Sequence, residues 1–234
     1  MTISPDAEVV EALAPFGIRA FTTGRVSGSY GFGTDEPVRE VMARWTRLRD
    51  ELRPARNRLA HANQVHGNRV VVHGAGWEGW LRVDAADGHV VVERGTALVV
   101  TIADCVPVFL AHPAGAIGLL HSGWRGTVAG IVDHGIDALA RRGFPASELR
   151  VHLGPAICGR CYEVSADVAT KLTGRRADGA ECVDLRAIIA DQAQRAGIKL
   201  ISVSDLCTRC DNARLYSHRA GDTGRQVAAM VAQL

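Results

Sequence analysis

No run in this 234-residue chain is long and apolar enough to span a bilayer, and Met1 to Glu11 has neither the charged nor the apolar region of an export signal. Excess charge is lacking as well. With 27 basic residues against 25 acidic ones the net charge is +2, which offers no electrostatic footprint for nucleic acid or an anionic membrane. No repeat, low-complexity tract or linker divides the sequence. The glycines at 24, 28, 31 and 33 match neither a dinucleotide fingerprint nor a P-loop, so a phosphate cradle is not expected there. A disulfide framework is excluded by context: six cysteines in a chain this long and without visible export read as reduced thiols. These absences leave a soluble cytoplasmic protein, one domain over residues 1–234, with 47% hydrophobic residues to build a substantial core.

What is there centres on Ile117 to Gly126, I-G-L-L-H-S-G-W-R-G. A short apolar strand delivers His121 onto a Ser-Gly turn, placing a metal ligand or proton carrier at a strand end. One apolar strand earlier, Ala97 to Ala103 ends in Asp104-Cys105-Val106-Pro107, which places a soft ligand in the same way. His66, in Gln64-Val65-His66-Gly67 before the strand-like Arg69 to His73, is a third ligand candidate.

The remaining pattern alternates strands and helices. Ile18 to Thr23 reads as a strand followed by a glycine-bearing loop. Pro37 then starts a helix with Val38, Val41, Met42, Trp45, Leu48 and Leu52 on one face. Asp84 and Asp87 precede a strand over His89 to Glu93. A helix is expected from Thr127, with Val128, Ile131, Val132, Ile136 and Leu139 as its stripe and a stop at Gly143. Leu149 to Leu153 is a strand running into the Gly154-Pro155 turn, and Ser165 and Asp184 are expected N-caps of two further helices. Ile198 to Ser204 reads as the last strand, before a C-terminal helix carrying Val227, Met230, Val231 and Leu234.

Two histidines and a cysteine are the three ligands of a catalytic zinc site that keeps one position open. The same residues also suit a thiolate nucleophile, Cys105 activated by His121 with Asp104 orienting the base, and residue types leave the two readings open. Separately, Cys158-Gly159-Arg160-Cys161 and Cys207-Thr208-Arg209-Cys210 are two C-x-x-C pairs. They fit a structural zinc, although their separation is looser than in a zinc ribbon, and four ordinary cysteines near turns is the alternative.

Blocks along nearly the whole chain resemble the laccase-domain, or multicopper polyphenol oxidoreductase, family. They are Gln64-Val65-His66-Gly67, Ala103 to Pro107, His121 to Gly126, Leu153 to Ile157 with Tyr162-Glu163-Val164, and Tyr216 to Arg219 with Thr223 to Gln226. The resemblance implies an α+β domain of mixed sheets layered between helices. It implies zinc-dependent phosphorolysis of adenosine, inosine and methylthioadenosine to base and ribose-1-phosphate, with adenosine deamination in some members. His66, Cys105 and His121 then take the metal-binding and catalytic positions, and Gln64, Arg125, Ser217 and Arg219 the substrate-binding ones. Nucleoside and phosphate are the expected partners. Ser122, His218, Ala220 and the loop Tyr30 to Gly33 depart from the family's usual residues and bear on substrate contacts. A role in editing peptidoglycan precursors keeps a Cys-His amidohydrolase as the alternative. Copper-dependent polyphenol oxidation ranks below both, because the nine histidines include no His-x-His pair.

Overall fold

Two six-stranded mixed sheets pack face to face, and helices cover both outer surfaces. The structure, a computed structural model, describes residues 4–234. The first sheet runs in the order Glu8–Val9, Ile18–Thr22, Gln226–Ala232, Ala97–Ile102, Leu59–Ala62, Trp80–Val83, and the second in the order Leu200–Val203, Arg150–Leu153, Val106–Ala111, Ile117–Ser122, Gly88–Val91, Val70–His73. This is the layered α/β/β/α arrangement the resemblance implies.

The layers follow from alternation along the central strands. In Ile117–Ser122, Ile117 and Leu119 face the first sheet while Leu120 faces the helices. In Ala97–Ile102, Leu98, Val100 and Ile102 fill the space between the sheets. Ala97 and Val99 meet the helix Val38–Leu52 on the other side. That helix buries Val41, Trp45, Leu48 and Leu52, spaced as one face of a 3.6-residue period. Its stripe is narrower than expected: Val38 and Met42 are exposed at the helix start. Arg53 in the left-handed region, followed by Pro54, ends it.

The C-terminal segment corrects the sequence expectation. Gln226–Ala232 is a strand, not a helix, and lies in the middle of the first sheet between Ile18–Thr22 and Ala97–Ile102. Val227, Ala229 and Val231 pack against the helix layer, and Ala228, Met230 and Ala232 against the second sheet. Burial on both faces erases the polar alternation that marks a half-exposed strand. The spacing of residues 227, 230, 231 and 234 imitates a helical stripe by coincidence.

Two smaller departures affect the site. The helix expected from Thr127 starts at Trp124, directly after the His121 strand, and breaks at Gly130 (φ 73°) before resuming as Ile131–Ala140. Val128 is consequently exposed, whereas Ile131, Val132, Ile136 and Leu139 are buried. The strand expected over residues 198–204 is a short edge strand, Leu200–Val203, and is not the last one. Asp184 caps the helix Leu185–Arg195 by accepting the N–H groups of Arg186 and Ala187, while Ser165 occupies an N-cap without a side-chain bond.

Candidate active site

His66, Cys105 and His121 arrive on three separate segments. His121 is the fifth residue of Ile117–Ser122, Cys105 sits in the turn before the neighbouring antiparallel strand Val106–Ala111, and His66 lies in the loop leading to Val70–His73. The register pairs Pro107 with His121, so the residue two before Pro107 falls beside the histidine. The ligand atoms of the three side chains lie within 4.8 Å of one another, and the two imidazoles meet edge to face at 4.9 Å.

Two of the turns are conformationally unusual. His66 has φ 61° and Asp104, next to Cys105, has φ 85°, both in the left-handed region that side chains other than glycine rarely adopt. Each is held by an aspartate. The fully buried Asp87 carboxylate accepts the backbone N–H groups of Val65 (3.2 Å), His66 (2.9 Å) and Gly67 (2.7 Å), which fixes the His66 loop. It also accepts from His121 Nδ1 at 2.9 Å, leaving Nε2 for Cys105 and the cavity. Asp104 accepts the Thr208 hydroxyl at 2.5 Å and the Arg219 backbone N–H at 2.7 Å, which draws the C-terminal loops onto the Cys105 turn.

Burial would raise the Asp87 carboxyl, but His121 and the loop N–H groups hold it below its usual range. Burial would also raise the Cys105 thiol, yet the His121 and His66 imidazoles bring it down to about 6. His121 is pushed the opposite way: burial lowers it, but Cys105 and Asp87 raise it to about 9. The carboxylate therefore orients one imidazole and the thiol ionises readily, and the raised His121 gives up a proton when it binds a metal. A soft thiolate with two imidazoles fits zinc, and the donor set leaves its cavity side open.

That side is a cavity of about 660 Å³, within the range of small-molecule sites. Its walls differ in character. Arg125, Arg219, Arg225 and Arg82 line it, and among the described residues neither Arg125 nor Arg219 pairs with a carboxylate. Arg125 lies over the Trp124 ring, and Arg219 lies over the Tyr162 ring and donates to the Glu163 carbonyl at 2.8 Å. An aromatic group also lines it: Phe32, 40% exposed, stacks on the buried Trp45 with ring planes 3° apart, and the Arg82 guanidinium lies 5.4 Å over the Phe32 ring. Burial pushes the Tyr162 phenol up to about 12, with Cys105 adding to the rise, so it remains an O–H donor.

The other sequence candidates are placed differently. Gln64 lines the cavity, but its amide is engaged with Thr101, donating to the carbonyl and accepting from N–H and hydroxyl. Ser217 is fully buried behind the wall and its hydroxyl accepts from Ala220 N–H. Asp104, proposed to orient the base in the thiol reading, does not meet His121; Asp87 does. Sequence reasoning left Asp87 without a role and gave Trp45 to the core alone. The first becomes visible only when the register pairs Gly88 with Leu120, which puts residue 87 beside residue 121.

Known proteins share this framework. Purine nucleoside phosphorylase ORF3 of Streptomyces griseus is 37% identical over 177 residues, with 72% of each chain covered. A purine nucleoside phosphorylase of Deinococcus radiodurans is 34% identical over 230 residues, covering 90% of this chain and 87% of that one. The crystal structure of hypothetical protein YfiH from Bacillus licheniformis superposes with a TM-score of 0.89 at 25% identity, covering 98% and 97% of the two chains. A family model matches residues 23–233, and the chain belongs to the family it describes, the multi-copper polyphenol oxidoreductase laccase family.

Proposed function

We propose that residues 1–234 form one cytoplasmic catalytic domain, a zinc-dependent purine nucleoside phosphorylase. The observation that carries the reading is the meeting, in one cavity, of the His66–Cys105–His121 cluster, unpaired guanidinium groups and an aromatic wall. The relatives named for this activity support it. The six free cysteines suit a reducing compartment, and among the described residues no helix is long and apolar enough to cross a membrane.

Phosphate must be brought beside the sugar against its own charge, and Arg125 and Arg219 hold it through directed, paired N–H bonds. Phe32, partly exposed in the cavity beside Arg82, is the aromatic group for the purine to stack on, a contact worth about 1–3 kcal/mol per base. A phosphate oxygen bonds to the anomeric carbon as the glycosidic bond breaks, and that bond's electron pair leaves with the base. Tyr162 supplies an O–H donor at the cavity wall. Asp87 holds the His121 ring in one orientation through Nδ1. Zinc held by His66, Cys105 and His121 would supply Lewis acidity, and the same site could serve adenosine deamination as a second activity. The family's description names copper. Among the described residues only this cluster and the cysteine quartet can hold a metal, which is too few ligands for several coppers.

One further observation favours the thiol reading: Cys105, His121 and Asp87 stand in the order of a nucleophile, base and orienting carboxylate. Chromatography of adenosine and inosine with and without phosphate separates the readings. Base and ribose-1-phosphate formed only with phosphate, lost on chelation and regained with zinc, are expected. Inosine from adenosine alone would leave deamination. Turnover of neither nucleoside, or cleavage of a peptide amide that survives chelator and stops on alkylation, would overturn the proposal.

A further inference from the structure

The quartet Cys158, Cys161, Cys207 and Cys210 lies outside the catalytic chemistry. Its four sulfur atoms nevertheless lie within 4.8 Å of one another, although 49 residues separate the two pairs. Zinc–sulfur bonds of about 2.3 Å in a tetrahedron place sulfurs about 3.8 Å apart, so the quartet is close to ligating geometry. Cys161 and Cys210 share a thiol hydrogen bond at 3.5 Å without a disulfide, and all four are free thiols.

Two further observations point to an ion. Cys207 Sγ accepts two backbone N–H groups, from Cys158 at 3.3 Å and Cys210 at 3.4 Å. Neutral thiols are weak acceptors, and converging amides are the support a metal-bound thiolate needs. Each C-x-x-C turn also carries an arginine, Arg160 and Arg209, and Arg209 donates across to the Cys161 carbonyl at 3.3 Å. Four thiolates around a divalent ion carry a net charge of −2, which two guanidinium groups offset. A bridge between Ala156 and Cys207, closed by Thr208 N–H to the Ala156 carbonyl at 3.2 Å, aligns the two turns.

We infer that these four cysteines bind a structural zinc that clamps one wall of the catalytic cavity. The clamp reaches the site through three bonded neighbours: Thr208 holds Asp104, Tyr162 follows Cys161 directly, and Glu163 receives Arg219. Without the ion the two turns rely on one backbone bridge, the Arg209 bond and weak thiol contacts, and the Arg219 wall loosens while His66 and His121 keep the Asp87 carboxylate. The assignment does not depend on the nucleoside reading.

Metal analysis of the purified full-length protein tests it. Cys161→Ser/Cys210→Ser loses one zinc equivalent per chain, whereas Cys105→Ser retains that equivalent. Should the double variant not fold, Cys105→Ser, which lacks the thiol ligand of the other site, decides. A thiol reagent should modify exposed Cys182 at once and the quartet only as one zinc per chain is released to a colorimetric indicator. Immediate modification of the quartet with no zinc released, an intact mass lighter by four hydrogens through two disulfides, or iron in place of zinc would overturn the assignment.

Discussion

Gly123 is where one methyl group decides whether the proposed catalytic site assembles. Its backbone, at φ −84°, suits any residue, but a Cβ there would stand 2.9 Å from Cys105 Sγ and 3.2 Å from the His66 ring. Gly123→Ala therefore wedges two candidate ligands apart without straining the chain. It should bind the catalytic metal at least about 10-fold more weakly, the loss typical of a disturbed coordination shell, with its melting temperature close to wild type once both are stripped of metal. Wild-type metal affinity in a competition titration would refute the placement of these ligands. Asp87 acts through His121 rather than on substrate. Asp87→Asn leaves the size of the side chain but offers an amide where a charged acceptor orients the imidazole, so metal affinity should fall about 10–100-fold. An undiminished affinity would show that His121 is oriented by other contacts. The ligand triad is legible in the sequence because Cys105 and His121 flank or end apolar strands and His66 sits at a glycine turn that feeds another. Asp87 is not, since its role arises from strand pairing that brings it to a residue 34 positions away.

The strand Gln226–Ala232 shows how far element-level patterns carry. Both sheet faces bury it, so its composition records burial but not period, and only the neighbouring strands decide between helix and strand. The half-exposed helix Val38–Leu52, by contrast, is readable because one face meets water. Energetics separate the two assignments of the C-terminal segment. Met230 is fully buried between the sheets and Leu234 is 91% exposed, whereas an amphipathic helix would bury both. Met230→Ala should cost about 2–5 kcal/mol and Leu234→Ala within about 0.5 kcal/mol, measured from denaturant midpoints at constant slope. Comparable losses at both positions would favour the helix.

Across the whole molecule, acid stability should be governed by histidines kept neutral inside the fold. Burial, with Arg82 adding to it, lowers His61 to about 4; burial lowers His73 to about 4; burial, His73 and His61 lower His89 to about 3, against a raising contribution from Asp87. His73 and His89 share one ring-to-ring hydrogen bond of 2.9 Å, and His61 packs among Trp45, Trp80 and Phe32. In the unfolded chain each titrates near about 6.5. Between that value and the folded ones the unfolded state binds protons that the native state refuses, so stability is full above about 6.5 and falls as pH drops through the window. Each group contributes a slope of at most about 1.4 kcal/mol per pH unit, and the three together about 4. Carboxylates enter mainly below pH of about 5, which leaves the interval from about 6.5 to about 5 to the histidines and to Cys105, lowered to about 6. His61→Phe keeps an aromatic ring in the Trp45 cluster and removes one proton acceptor. Compared with wild type at equal metal loading, so that proton release from the ligands cancels, it should lower the slope of unfolding free energy in this interval by up to about 1.4 kcal/mol per pH unit. A variant with the wild-type slope would mean that His61 is already protonated in the native protein.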